Sequence, residues 1–182
     1  MKHLFLILLA FVAALSASAY AAAPEHFIKP GKPAPDFRLN DQFIRVQQLK
    51  DFRGMPVVIL YTGRDRFDDT AQIIWQLEKK YNRKKSKEDV EKIHIMGVAY
   101  LSGVPSFVKK KVKKHMKKPQ YPSFLMDWNS EIESKYGYDQ SKISAFIIDS
   151  EGIVRHAGVM LNTDEDKAAL IQKIDTLLIV KN

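Results

Sequence analysis

The side chains with a capacity for chemistry fall into three groups along this 182-residue chain, and one reactive type is missing altogether. There is no cysteine, so the chain offers no thiolate nucleophile, no dithiol pair and no cysteine ligand for a metal. The first group is Arg64-Asp65-Arg66-Phe67-Asp68-Asp69. Its charges lie just ahead of a predicted helix N-terminus, where free N–H groups and the helix dipole favour an anion. Two readings are open. Arg64 and Arg66 receive a carboxylate or phosphate, or Asp68 and Asp69 cap the helix and pair with the arginines.

The second group is the histidines His26, His94, His115 and His156. They are dispersed, without the spacing that sets two ligands on one helix face. His94 alternates within a predicted strand and His156 lies on a neighbouring hairpin, so either they share a site with Asp149 or they are structural residues. Met96, Met116, Met126 and Met160 read as core filler rather than copper ligands. No metal and no cofactor is predicted.

The third group is Lys109, Lys110, Lys111, Lys113, Lys114, Lys117 and Lys118, seven lysines within ten residues. On a helix they surround every side except a Val108–Val112–Met116 stripe. Like charges four apart repel, by a few tenths of a kcal/mol per pair. The run suits an anionic lipid or glycan surface, each lysine near an anionic membrane being worth about 1 kcal/mol. The competing reading is a solvated face. No aromatics interleave the run to stack on bases, so nucleic acid is not expected as a partner.

The elements that position these groups follow from periodicity and punctuation. Pro24 to Pro35 reads as an extended lead-in, followed by a short strand at Ala34–Leu39 and an edge strand at Phe43–Val46. Leu49 to Gly54 is a helical turn ended by glycine. Met55 to Tyr61 is a compact run rich in β-branched residues, predicted as a buried central strand. A helix begins with Asp69 as N-cap and Gln72 completing the capping pattern, and buries Ile73, Ile74, Leu77 and Tyr81. Lys79 to Lys92 is a charged helix end and loop. Ile93 to Tyr100 is a second buried strand, and Pro105 opens the lysine helix, which runs to about Met116. Phe124–Met126, the short helix Ser130–Tyr136 and the strands Ala145–Asp149 and Ile153–Ala157 follow. Ser150-Glu151-Gly152 joins the last two, with glycine where positive φ is wanted. Asn162 or Thr163 caps a final helix whose inner face is Leu170, Ile171, Ile174, Leu177 and Leu178. This order predicts one α/β domain, a mixed sheet with helices on both faces.

The start of the chain addresses it. Lys2 and His3 precede an apolar run from Leu4 to Leu15 and small residues from Ser16 to Ala23, the layout of a secretory signal peptide. Cleavage after Ala21 leaves residues 22–182, about 160 residues, a size suited to one domain with a sizeable core. The competing reading is an uncleaved N-terminal anchor. Nothing later in the sequence is apolar for long enough to span a bilayer, and a lipobox needs a cysteine. The formal charge of +8 loses only Lys2 with the leader, so the exported domain favours anionic surfaces or acidic proteins.

Three segments carry a resemblance to a known superfamily. Lys32-Pro33-Ala34-Pro35-Asp36-Phe37 with Leu39, Gly54 to Tyr61, and Phe146 to Val154 resemble the opening, the pre-active-site strand and the C-terminal hairpin of thioredoxin-like redoxins and peroxiredoxins. Gly63-Arg64, Gln120 to Phe124 and Ser144 to Gly152 are similar to the cysteine-free YtfJ-type periplasmic proteins. The resemblance implies a three-layer thioredoxin-like fold and places the family's dithiol near Arg66 and Asp69, where no thiol exists. It also implies a loop proline where Lys142-Ile143-Ser144 stands. The expected function is therefore a redox-inactive periplasmic binding or accessory module with no catalytic residues and a partner of unknown identity. Two alternatives stay open: an anionic-surface binder using the lysine helix, and a non-thiol enzyme using the Arg64–Asp69 loop with His94 or His156.

Overall fold

A computed structural model describes residues 26–82 and 92–179. The predicted leader, most of the predicted charged loop (residues 83–91) and the last three residues lie outside them. The β-branched run after Pro56 forms strand β3 (Val57–Thr62), and every residue of it is buried. A strand buried on both faces needs a neighbour on each edge and a layer on each side. Strand β4 (His94–Tyr100) pairs with it in parallel, and β6 (Ile143–Ile148) pairs antiparallel on the other edge. Strands β5 (Phe124–Asp127) and β7 (Val154–Met160) extend the two sides, giving the order β5-β4-β3-β6-β7.

Alternation along the strands divides the core in two. Val58 and Leu60 face helices α1 (Phe67–Leu77) and α4 (Asp164–Ile179), which contribute Ile73, Ile74, Leu170 and Ile174. Helix α2 (Ser106–Met116) joins this cluster through Met116. Val57, Ile59 and Tyr61 pack on the opposite side against Phe37, Leu39 and helix α3 (Glu131–Tyr136), through Ile132 and Tyr136. Close packing fixes Gly97, since a β-carbon there would lie 2.6 Å from Ile74 Cδ1. This is the mixed sheet with helices on both faces that the sequence predicts. Thr163 is the cap of α4, its Oγ1 accepting from the Asp166 N–H at 3.1 Å, and Gly152 adopts φ +82 in the β6–β7 turn.

The N-terminal hairpin differs from expectation. Strand β1 (Arg38–Asn40) pairs antiparallel with β2 (Val46–Gln48), so residues 43–45 are turn rather than strand. The reason is local: Asp41 Oδ1 accepts from the Phe43 and Arg45 amides at 2.8 and 2.9 Å, offering the backbone an alternative to a ladder.

One buried carboxylate ties the central strand to α3. Asp127 Oδ2 accepts from the Tyr61 hydroxyl at 2.8 Å and the Ile132 amide at 2.9 Å, and Oδ1 accepts from the Glu131 amide at 2.8 Å. Asp127→Ala strands three donors, two of them at the start of a helix, and is expected to lower unfolding free energy by about 3 kcal/mol or more. Urea denaturation checks this, and a loss within 1 kcal/mol, in the range of about 0.5–1.5 kcal/mol for one ordinary hydrogen bond, would refute it.

Candidate functional site

Beyond β3 the chain turns at Gly63, runs through a 3-10 turn at Arg64–Arg66 and enters α1 without a break. Gly63 is required by packing, because the Tyr138 hydroxyl occupies the place a β-carbon would take. Tyr138 lies between Tyr61 and Tyr100, with ring centroids 4.6 and 4.8 Å away. Burial pushes the Tyr61 and Tyr138 phenols well above their usual range, so both stay protonated.

The six residues of the Arg64–Asp69 segment separate into different roles. Arg66 Nη1 pairs with Asp69 Oδ2 at 3.2 Å, and Asp69 Oδ1 accepts from Asn162 Nδ2 at 3.3 Å. Asp69 is not the N-cap predicted from sequence. The 3-10 turn feeds straight into the helix, which therefore begins at Phe67, with Arg66 at the cap position and no side-chain capping bond. Gln72 accordingly accepts from Asn162 instead of closing a capping box. Phe67 packs on Phe124 and Tyr121, with centroids 4.2 and 4.9 Å away. Asp65 and Arg64 are exposed.

Asp68 anchors a hydrogen-bonded chain that sequence reasoning did not find. The Tyr121 hydroxyl donates to Asp68 Oδ1 at 2.8 Å. With its one proton so used, the Tyr121 oxygen is left to accept from His115 Nε2, 3.2 Å away. That bond to Asp68, followed by burial, holds the Tyr121 phenol above its ordinary range. Arg64, Asp68, Lys111, His115 and Tyr121 all line one cleft of about 780 Å³ between the turn, the β4–α2 connection and α2. Its floor is apolar, from Phe67, Leu101, Val108 and Val112. Two groups read separately in the sequence, the charged turn and the lysine helix, thus meet at one opening.

The lysines fan around the outer side of α2. Lys109 Nζ lies 4.9 Å from the Trp128 ring centroid and Lys117 Nζ lies 5.7 Å from that of Phe43. Lys110, Lys111, Lys114, Lys117 and Lys118 are exposed and Lys113 is half-buried. Trp75, on α1, donates from Nε1 to the Gln120 carbonyl at 3.1 Å.

His94 and His156 belong elsewhere. His94 lies opposite Val57, at the start of β3, and stacks on Phe52 with centroids 3.7 Å apart. His156 is opposite Ile147, which itself lies opposite Val58, and shares the α4 side with Lys173. Both are therefore at the end of the sheet remote from Arg64, and on opposite faces, so they form no joint site with each other or with the turn. Asp149 does border the same cleft as His156, a second opening of about 540 Å³. Its carboxylate, however, is engaged by the Glu151 and Ile153 amides and by Arg155 Nε at 2.6 Å. His26 bonds the Tyr138 carbonyl at 2.9 Å. Met96, Met116, Met126 and Met160 are buried in the core. Among the described residues no three His, Asp or Glu side chains converge as a metal site, and no helix is long and apolar enough to cross a membrane.

A mixed five-stranded sheet whose central strand delivers the chain into a helix start defines a thioredoxin-like α/β protein. The AhpC/TSA family matches residues 30–157, and the chain belongs to the AhpC/TSA family. Among solved structures it is similar to a Chlorobium tepidum protein assigned as the thiol:disulfide interchange protein DsbE, at 22% identity and TM-score 0.65, over 83% of this chain and 99% of that one. It is similar also to the exposed lipoprotein thioredoxin Etrx1 of Streptococcus pneumoniae, at 18% identity and TM-score 0.57, over 79% and 100%. A hypothetical protein of Sinorhizobium meliloti shares 16% identity at TM-score 0.61, over 83% and 85%. At these identities the likeness is one of fold. No curated protein matches the chain.

Two outcomes follow from this geometry. Arg66 and Asp69 face each other across the first turn of α1, in the span a disulfide bridges. Arg66→Cys with Asp69→Cys is expected to oxidise spontaneously in air, and thiol titration finding both groups free would place the family's dithiol elsewhere. Burial, then Lys173, takes the His156 pKa down to about 4 from an ordinary 6.5. The unfolded chain then binds a proton that the fold does not. Stability is full above pH 6.5 and falls as pH drops towards 4, by about 3 kcal/mol at most for this group. His156→Gln should flatten the melting temperature over that window, and an unchanged slope would remove His156 as its source.

Proposed function

We propose that this protein is an exported, redox-inactive binding or accessory module that holds a ligand or partner segment in the cleft beside the Arg64–Arg66 turn. The observation that carries the reading is the ion pair between Arg66 and Asp69, at the positions the family resemblance gives to the dithiol, in a chain without cysteine. Thiol–disulfide exchange and peroxide reduction by a redoxin both need a thiolate. The cleft keeps what binding needs: an apolar floor with Arg64, Lys111 and His115 at its border. Its ligand is then an apolar body carrying an anionic group. Export is supported by the leader pattern of residues 1–23, and the likeness to YtfJ-type periplasmic proteins agrees with it.

A second reading is favoured by one observation. None of the seven lysines between 109 and 118 forms an ion pair with a described residue, and a run of this charge suits an anionic surface outside the molecule. Such binding weakens steeply with added salt. A non-thiol enzyme built on the turn with His94 or His156 gains nothing from the structure, which sets both histidines at the other end of the sheet.

The purified protein is expected to accelerate neither insulin disulfide reduction nor peroxide consumption above the rate of dithiothreitol alone. Turnover in either assay would overturn the redox-inactive reading.

A further inference from the structure

The tip of the β1–β2 hairpin is built with more care than a connecting turn needs. Asp41 and Gln42 are both fully buried polar residues, and every side-chain oxygen and nitrogen of the two is hydrogen-bonded. Asp41 Oδ2 takes Arg45 Nε at 2.7 Å and Ser123 Oγ at 3.0 Å, while Oδ1 holds the two turn amides. Gln42 Nε2 donates to the Met116 carbonyl at 3.1 Å and the Pro122 carbonyl at 2.9 Å, and its Oε1 accepts from the Phe124 amide at 2.9 Å. The tip is thereby fastened to the C-terminal end of α2 and to the start of β5.

What this fastening holds is a pair of large apolar side chains in solvent. Phe43 is 49% exposed and Ile44 68% exposed. Ile44 has φ 72, a region that β-branched residues avoid. Backbone held in such a region persists only where its surroundings over-determine it, and such sites cluster where function requires a fixed shape. At the other end of α2, Phe107 is 87% exposed. On the helical surface it neighbours Lys110, Lys111 and, one turn further, Lys114. Phe107 and the helix end that Gln42 grips at Met116 are about 14 Å apart along the axis, at ~1.5 Å per residue. Lys117 Nζ, 5.7 Å from the Phe43 ring, links the lysine row to the tip. The lysines of α2 therefore lie between exposed apolar side chains at its two ends, Phe107 at the start and the Phe43–Ile44 tip at the finish.

A soluble polyanion uses the lysines but not three exposed apolar side chains. The interface of an anionic bilayer uses both, phosphates meeting the cations and the headgroup–acyl boundary accepting the apolar groups. We propose that the outer face of α2 and the hairpin tip form a docking surface for an anionic lipid bilayer, with Phe43, Ile44 and Phe107 entering its interface. This rests on the lysine-surface reading and adds to it the partner and the orientation.

The test is cosedimentation of residues 22–182 with vesicles of phosphatidylglycerol mixed with phosphatidylcholine, with heparin binding measured in parallel. The wild-type protein is expected to bind the mixed vesicles, to ignore pure phosphatidylcholine and to be released by salt. Phe43→Ser with Ile44→Gly should weaken vesicle binding at least about tenfold, the scale of withdrawing a large apolar side chain from burial. Heparin binding should stay unchanged. The melting temperature should not fall, because glycine accepts φ 72 without strain. If this variant binds vesicles as the wild type does, the bilayer inference is overturned and the lysine surface stands. If its heparin affinity falls in parallel, the tip acts on something other than a bilayer and the inference is again overturned. If the wild type binds neither vesicles nor heparin, both the inference and the lysine reading fail.

Discussion

The burial of β3 on both faces is the constraint from which the remaining architecture follows. Val57 to Thr62 carries no exposed residue, so apolar layers must close on it from two sides and strands must satisfy both its edges. One layer is α1 with α4, the other α3 with the N-terminal segment. Both β3 and its parallel neighbour β4 end at the same side of the sheet, at Thr62 and Tyr100. Open α/β sheets place their crevices outside the carboxyl ends of their strands, and the larger cleft lies there, bordered by Gly63 and by Tyr100 to Pro105. The position of the candidate site is thus a result of topology, before any side chain in it is considered.

Its chemical character is set by charge that is already neutralised. The first turn of a helix attracts an anion, and here Asp68 and Asp69 supply it from within the chain. Asp69 meets Arg66, and Asp68 meets Tyr121. Both residues of the ion pair are about one-third exposed, so it contributes no more than about 1 kcal/mol. Its consequence is chemical rather than energetic: the helix start where a redoxin presents sulfur holds a saturated pair of side chains with no affinity for electrons. Among the described residues no carboxylate pairs with the outer cationic border, Arg64 and Lys111, which stands over an apolar floor.

Much of the frame is legible in the sequence because it rests on local signals. The run at 55–61, the hairpin closed by Gly152 and the capped final helix each declare themselves by period or by turn chemistry, and each is found with shifts of a few residues. The start of α1 lies three residues earlier than the sequence suggests, with Arg66 rather than Asp69 at the cap, since nothing in the local pattern distinguishes an Asp that caps from an Asp that follows a 3-10 turn. Phe43, Ile44 and Val46 suit the edge strand expected at Phe43–Val46, whereas the Asp41 carboxylate takes the Phe43 and Arg45 amides and turns the chain. The distant partners that hold Asp41 and Gln42 in place, Ser123, Pro122 and Phe124, are not marked by any local pattern. The Asp68–Tyr121–His115 chain joins residues 53 and 6 positions apart, a long-range meeting that no periodicity encodes. His94 and His156 illustrate the same limit in reverse. Both sit on strands as expected, but the face and the end of the sheet depend on register, and register is settled by pairing partners.

The placement of the tryptophans has an optical consequence. The chain has two, and each touches a segment next to the cleft: Trp128 lies beneath the Lys109 ammonium, and Trp75 is bonded to the Gln120 carbonyl. An indole's emission shifts with the charge and wetness around it. Any occupant that draws Lys109 outward or shifts the 117–121 segment therefore alters the intrinsic fluorescence, and the molecule carries its own label-free signal of engagement, needing no attached dye.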